Sequence, residues 1–351
     1  MTGGAGVATI LSGAIAGHEE LAEVVAGTSD AAVLGAELVR WCEGHLGAGV
    51  AGVPWTVLGS GLVVAIDTDD DRRLVVKVRP AEQRRRLGES RLVQGLVAAE
   101  GFPAPVPVGR LHPFGAGMAH GVAVAGAEQR IDGGHAIDGH HEAGLQALAE
   151  ALQRLIGQAS AVAPARAALH EPWGVALPDG QLWPEAVRDP EPDAAGMSAG
   201  AEWIDDLAAS FRARLITGSA GRPRVVGHVD WRAEHVHVDG AGRVLGVFDW
   251  DSLVRAPEPV LVGMAAAGFT MARLDAEPPS VSEGEAFVAA FEAGRGVHFR
   301  RDERDLMDAA HGYVVALGAR VEHGHEQSGR RQPASDGWRR LLRSRGERAL
   351  V

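Results

Sequence analysis

The residues best able to do chemistry together lie in the stretch "VVGHVDWRAEHVHVDGAGRVLGVFDWD" (residues 225–251) and, far upstream, at Lys77. His228 and Asp230 stand just ahead of one β-rich run, "HVHVD". Asp249 ends a second, "RVLGVFDW", and the turn "GAG" joins the two runs. Carboxylates at those two places can face one cleft. One can orient an acceptor hydroxyl while the other holds a divalent metal, the division of labour that phosphoryl transfer requires. Lys77 is the only lysine among 34 lysine and arginine residues, and it sits inside the valine run "LVVKVRP". In a chain so biased toward arginine, a surviving lysine marks a place where the two cations are not interchangeable. A compact ammonium on a flexible stem reaches phosphate oxygens that the broad guanidinium fork does not.

Upstream of Lys77, "LGSGLVVAI" puts Gly59, Ser60 and Gly61 at a bend before a strand. Paired glycines let backbone N–H groups approach a phosphate closely. No Gly-Lys-Ser/Thr follows, so this is not a Walker A loop, and a strand rather than a helix follows, so it is not a dinucleotide fingerprint. What remains is a glycine-rich hairpin over a nucleotide. Alternation along the lysine strand puts Val75, Lys77 and Arg79 on one face and Leu74, Val76 and Val78 on the other. The nucleotide-binding set is therefore Gly59, Ser60, Gly61, Val75 and Lys77.

These residues need a scaffold of two kinds. Residues 1–50 read as a helical N-terminal extension ending in the turn-rich "GAGVAGVPW". Residues 51–128 read as a small antiparallel β lobe. "WTVLGSGLVVAID" and "RLVVKVRP" form a hairpin around "TDDDR", a helix follows from Ala81 to Glu100, and two more strands lie in "VPVGRLHPFGAGMAHGVAVAGAEQR". Residues 129–351 read as a larger, mainly helical lobe with one β-rich interruption from Arg224 to Trp250. The fold class is α+β and bilobal.

Composition bounds the partners. The 351 residues carry a formal charge of −12, which speaks against nucleic acid or an anionic membrane and favours a cationic small-molecule acceptor. One cysteine, Cys42, leaves no internal disulfide and fits a reducing compartment. The opening "MTGGAGVATILSGAIAG" has no basic n-region, and no apolar run is long enough to span a membrane, so the expected location is the cytoplasm.

The ordered motifs resemble the aminoglycoside phosphotransferase family, relatives of the protein kinases. That family carries His-x-Asp-x-x-x-x-Asn in its catalytic loop, then a hairpin, then an Ile-Asp-Trp-type metal motif. "HVDWRAEH" matches through His228 and Asp230, and "VFDWD" through Asp249. The resemblance covers roughly residues 50–275. It implies a protein-kinase-like fold that moves the γ-phosphate of ATP or GTP, with Mg2+, onto a small-molecule hydroxyl, an antibiotic among the acceptors. It places Lys77 at the family's phosphate-binding lysine and Glu89 at the helix glutamate that pairs with it, although Glu82 and Glu100 share that helix. Backbone groups near residues 126–130 would receive the purine. Arg232 stands where protein kinases place a cation on the transferred phosphate.

One departure bears on chemistry. His235 occupies the asparagine slot, Glu234 replaces the usual preceding glycine, and the chain contains no asparagine at all. Histidine suits Mg2+ less well than oxygen donors do. The expected metal ligands are thus Asp249 with His235. Trp231 and Asp251 flank the site as candidate acceptor contacts. The acidic stretch "WPEAVRDPEPDAAGMSAGAEWIDDL" offers Glu202, Asp205 and Asp206 to a cationic acceptor. Two other classes stay open: a pseudokinase that keeps the nucleotide fold without catalysis, and a transition-metal enzyme built on His228, Asp230, His235 and His237.

Overall fold

Apolar alternation between Leu62 and Pro80 builds the hairpin at the centre of an antiparallel sheet. The computed structural model describes residues 4–115, 123–164, 167, 169–184, 199–271, 277–328 and 336–349. It divides into two units, one of Met1–Gly95 and Pro105–Asp132, the other of Leu96–Ala104, Gly133–Ala186 and Glu191–Val351.

In the first unit α1 (Gly4–Ile15), α2 (Glu19–Ala26) and α3 (Ala31–Leu46) precede β1 (Val50–Gly52), β2 (Thr56–Leu58), β3 (Leu62–Thr68) and β4 (Arg73–Pro80). Then come α4 (Arg84–Ala99), whose residues from Leu96 on belong to the second unit, β5 (Pro107–Phe114) and β6 (Ala123–Gln129). The sheet order is β1-β3-β4-β6-β5, with β2 also paired to β3. Asp30 starts α3 by accepting from the Ala32 and Val33 amides, a cap that contributes about 1 kcal/mol.

The N-terminal helices share a core with the sheet. Leu62, Val64, Ile66, Leu74, Val76 and Val78 pack in one buried cluster with Val7, Leu11, Leu34, Leu38 and Trp41. One sheet face is thereby spent on α1–α3, which leaves the face of Val75, Lys77 and Arg79 for α4 and for chemistry. Part of the predicted strand pair, residues 116–122, lies outside the described residues.

The second unit contains β7 (His135–Ala136), α5 (Glu142–Val162), α6 (Trp173–Ala176), α7 (Glu202–Ser219), β8 (Val225–His228), β9 (Val236–Val238), β10 (Val244–Val247) and β11 (Leu253–Ala256). It ends in α8 (Glu258–Gly268), α9 (Val281–Arg295), α10 (Arg301–Gln327) and α11 (Gly337–Ala349). Two small sheets, β10-β9-β7 and β11-β8, sit among these helices. Residues Pro259 to Gly268 of α8 are buried. Gly263 lets α8 approach α10 closely, since a Cβ there would lie 2.3 Å from the Met307 carbonyl oxygen. Phe211, Ala267, Tyr313, Ala316 and Leu342 fill the helical core. No described helix is long and apolar enough to cross a membrane.

Candidate active site

In the first unit the lysine strand brings a cation onto the free sheet face. Lys77 Nζ lies 2.9 Å from Glu128 Oε1, and the two side chains are 15% and 4% exposed. Register explains the pair: Lys77 stands opposite Gly126 on β6, so Glu128, two residues on, is its diagonal neighbour on the same face. Gln94 of α4, buried, donates to the other oxygen, Glu128 Oε2, at 3.0 Å. The expected partner, Glu89, is half-buried on the same helix, and among the described residues no ion pair joins it to Lys77. The carboxylate seen against the lysine is thus supplied by the neighbouring strand, and the helix contributes an amide.

Gly59, Ser60 and Gly61 form the three-residue loop between β2 and β3, closed by Leu58 opposite Leu62 and by the Gly59 amide donating to the Gly61 carbonyl at 2.9 Å. The structure gives Gly61 a physical reason. A Cβ there would lie 1.7 Å from Nη1 of Arg79, so the glycine makes room for a buried guanidinium on the lysine strand. Val75 is buried on the face of Lys77.

In the second unit, antiparallel pairing of β8 with β11 sets Leu253 opposite His228. This brings together the two loops that follow the one strand and precede the other. His228 is fully buried, and its Nε2 donates to the Phe248 carbonyl at 3.2 Å. Burial pushes its pKa down, against the pull of the Asp249 carboxylate, so the ring is neutral. His235 Nδ1 donates to the Asp230 carbonyl at 2.9 Å, and the His235 carbonyl accepts from the Phe248 amide at 2.8 Å. The Ala233 and Glu234 amides donate to the carbonyls of Phe269 and Met271 beyond α8. The loop from 229 to 235 is therefore fastened at both ends by backbone hydrogen bonds.

Asp249 is held in the left-handed region, φ 57° and ψ 45°, a conformation that costs a non-glycine residue of order 1 kcal/mol or more and clusters at functional sites. Its Oδ2 accepts from Ser252 Oγ at 2.5 Å. Asp230 Oδ2 accepts from Arg232 Nη2 at 2.7 Å, and Arg232 Nη1 lies 2.8 Å from Glu234. Burial alone would lower the Arg232 pKa, but the carboxylates of Asp230 and Glu234 more than offset it and raise it. Arg232 is a fixed cation clamped between two acids.

Several expected contacts have other duties. Trp231 is 1% exposed and donates its indole N–H to the Leu148 carbonyl, so it is core and not a pocket wall. Asp205 accepts from Trp183 Nε1 and from Nε of the fully buried Arg320. Its charge is used inside the fold. Glu202 accepts from the Gly200 amide at the start of α7, and backbone hydrogen bonds lower its pKa. Asp206 is exposed on the same helix, and Asp251 lies in the 3-10 turn Trp250–Ser252. Residues 185–198 of the acidic stretch lie outside the described residues. His237 packs edge-on against Phe248 and is not in the donor cluster of His228, His235 and Asp249. His235 lies in the 3-10 turn Ala233–His235, outside β9, so it does not share a strand face with His237.

Residues 59–306 match the model of the phosphotransferase enzyme family, APH. The chain belongs to that family. No curated protein matches it. Among solved structures it is similar to amicoumacin kinase hAmiN in complex with AMP-PNP, Ca2+ and Ami, at 11% identity and TM-score 0.53 over 81% of this chain and 83% of that one. A thermostable mutant of aminoglycoside phosphotransferase APH(4)-Ia, in a ternary complex with ADP and hygromycin B, gives 12% identity and TM-score 0.51 over 88% and 98%. Spectinomycin phosphotransferase APH(9)-Ia, in complex with ADP and spectinomycin, gives 12% and 0.50 over 88% and 93%. At these identities the likeness is one of fold. Family and fold together support a small-molecule phosphotransferase. Glu128, Gln94 and Ser252 went unnoticed in the sequence. Glu128 is set by which strand pairs with β4, and the other two by packing.

Proposed function

We propose that this protein moves the γ-phosphate of ATP or GTP onto a hydroxyl of a small molecule, an antibiotic of aminoglycoside-like, macrolide or nucleoside type. The observation that carries the reading is the pair of loops flanking the β8–β11 ladder, with Asp230 in one and Asp249 in the other, in a chain whose family is phosphotransferases. Lys77 takes the phosphates as a point charge, and Glu128 holds its ammonium. Asp230 accepts the hydrogen bond of the acceptor hydroxyl and receives its proton as the phosphoryl group leaves the nucleotide. Alignment, more than basicity, is what a loose transition state asks of that carboxylate. Arg232 stands one hydrogen bond from Asp230 and offers positive charge to the transferred group. Asp249 and His235 would hold a divalent cation, which supplies charge neutralisation on the phosphates. The acidic balance of the chain favours a cationic acceptor.

The experiment is a contrast of two variants. Asp230→Asn should bind metal–nucleotide within about twofold of the parent and lose about 10²–10⁴-fold in turnover, the range for removing a positioned proton acceptor. Asp249→Asn should instead weaken metal–nucleotide binding itself. Equal behaviour of the two would remove the assignment. A second reading, a nucleotide-binding pseudokinase, is favoured by the Arg232 clamp that occupies Asp230. It predicts nucleotide binding with no acceptor phosphorylated, and an Asp230→Asn variant unchanged in every property.

A further inference from the structure

His228, His235 and Asp249 each offer one ligand atom, and these atoms all lie within 4.8 Å of one another. Donors about 2.0–2.2 Å from a common tetrahedral ion lie about 3.3–3.6 Å from each other, so side-chain shifts of about 1 Å close the set. The hydrogen bonds of the two rings sharpen the picture. A carbonyl only accepts, so His228 carries its proton on Nε2, toward Phe248, and His235 on Nδ1, toward Asp230. The nitrogens left to face an ion are then His228 Nδ1 and His235 Nε2. Fixing a ring by a backbone carbonyl on its far nitrogen is how metal-ligating histidines are oriented.

A further observation points to a missing cation. His228 is fully buried, and its Nδ1 is buried with no hydrogen-bond partner, which is costly for a polar atom without water. His235 Nε2 faces Glu234 Oε1 at 3.6 Å. That oxygen is already paired with Arg232 Nη1 at 2.8 Å. The third donor is prepared as well, since the left-handed backbone at Asp249 and the Ser252 hydroxyl on Oδ2 fix that carboxylate.

Mg2+ fits this set poorly, because it takes oxygen donors at 2.0–2.1 Å and keeps its waters. Two imidazoles and one carboxylate with positions left open suit first-row ions from manganese to zinc. We propose that His228, His235 and Asp249 form a nitrogen-rich centre for a divalent transition-metal ion, and that this ion serves where nucleotide phosphotransfer ordinarily takes Mg2+. The second half of that statement rests on the phosphotransferase reading. The first half rests on the donor set alone.

The test is Co2+ titration of the full chain, stripped of metal, without nucleotide or acceptor, read by d–d absorbance and by calorimetry. One equivalent should bind and should resist a hundredfold excess of Mg2+. His235→Asn, a change in the 3-10 turn Ala233–His235 that keeps an oxygen donor in the family's own slot, should lose at least tenfold in Co2+ affinity and lose the nitrogen-ligand absorbance. It should also regain Mg2+ as a competitor. His228→Gln repeats the test where it folds, and circular dichroism checks both variants. Displacement of Co2+ by Mg2+ at equal concentration, or unchanged Co2+ affinity in His235→Asn, overturns the proposal. Because no nucleotide is present, that result leaves the phosphotransferase reading standing. Tight Co2+ binding without phosphotransfer would leave the site and remove the function.

Discussion

The lysine strand of the first unit and the acidic loops of the second are positioned by different physics. Lys77 owes its setting to long-range pairing: β4 against β6 fixes the register, and α4 sends Gln94 to the same carboxylate. His228, Asp230, His235, Asp249 and Ser252 lie within 25 residues of sequence, and short hydrogen bonds among their own loops hold them. The first arrangement is tertiary and electrostatic, whereas the second is local and mostly backbone. Substitutions should therefore act at a distance in the first unit and at the site itself in the second.

The largest effect expected in the first unit is at its cation. Lys77→Arg should keep the fold and lose about 10²-fold or more in nucleotide-dependent turnover, since a fork in place of a point charge misplaces the phosphates. Near-normal turnover would make Lys77 an ordinary lysine.

A smaller and more discriminating contrast separates the two candidate partners. Glu128→Gln strips a nearly buried lysine of its counter-ion and should cost about 3 kcal/mol in denaturant unfolding, with nucleotide affinity falling too. Glu89→Gln should stay within about 0.5 kcal/mol, as for a surface position. Reversal of that order would restore the helix glutamate as the partner.

That contrast also shows what could be read in advance. The placement of His228, Asp230 and His235 ahead of a hairpin and of Asp249 just after it was legible, because that geometry is encoded within a few residues. The lysine was legible through its scarcity, but its partner was not. Choosing between Glu89 and Glu128 depends on which strand lies beside β4, and no local pattern around Lys77 states that. Trp231 and Asp205 misled for a related reason. A tryptophan beside a candidate site residue and an acid at a helix start look the same in sequence whether they face a pocket or, as here, the Leu148 carbonyl and the buried Arg320. The helices α1–α3 read as an extension because their apolar faces did not reveal that they cover the sheet.

The smallest effect concerns the helical core of the second unit. His311 lines a cavity of about 380 Å³ with Glu285, Arg304, Asp308 and Arg345. Burial, and next the Arg345 guanidinium, push its pKa well below the ordinary 6.5. A base whose folded pKa is depressed binds fewer protons folded than unfolded below about 6.5. Its contribution is therefore intact above that pH and is lost as pH falls, by up to about 1.4 kcal/mol per pH unit. Urea midpoints measured from pH 7.5 to 5 should drop for the parent and flatten for His311→Gln. A parallel drop in both would assign the acid lability to other groups.

The most direct test of the account follows the γ-phosphate itself. Isotope-labelled ATP and GTP, offered with aminoglycosides, macrolides, nucleoside antibiotics and amino alcohols under both Mg2+ and Mn2+, should yield one labelled small molecule. Its formation should stop in Asp230→Asn while nucleotide binding remains. Nucleotide bound by the parent with no label on any hydroxyl of the panel, and an Asp230→Asn variant indistinguishable from it, would contradict the catalytic claim.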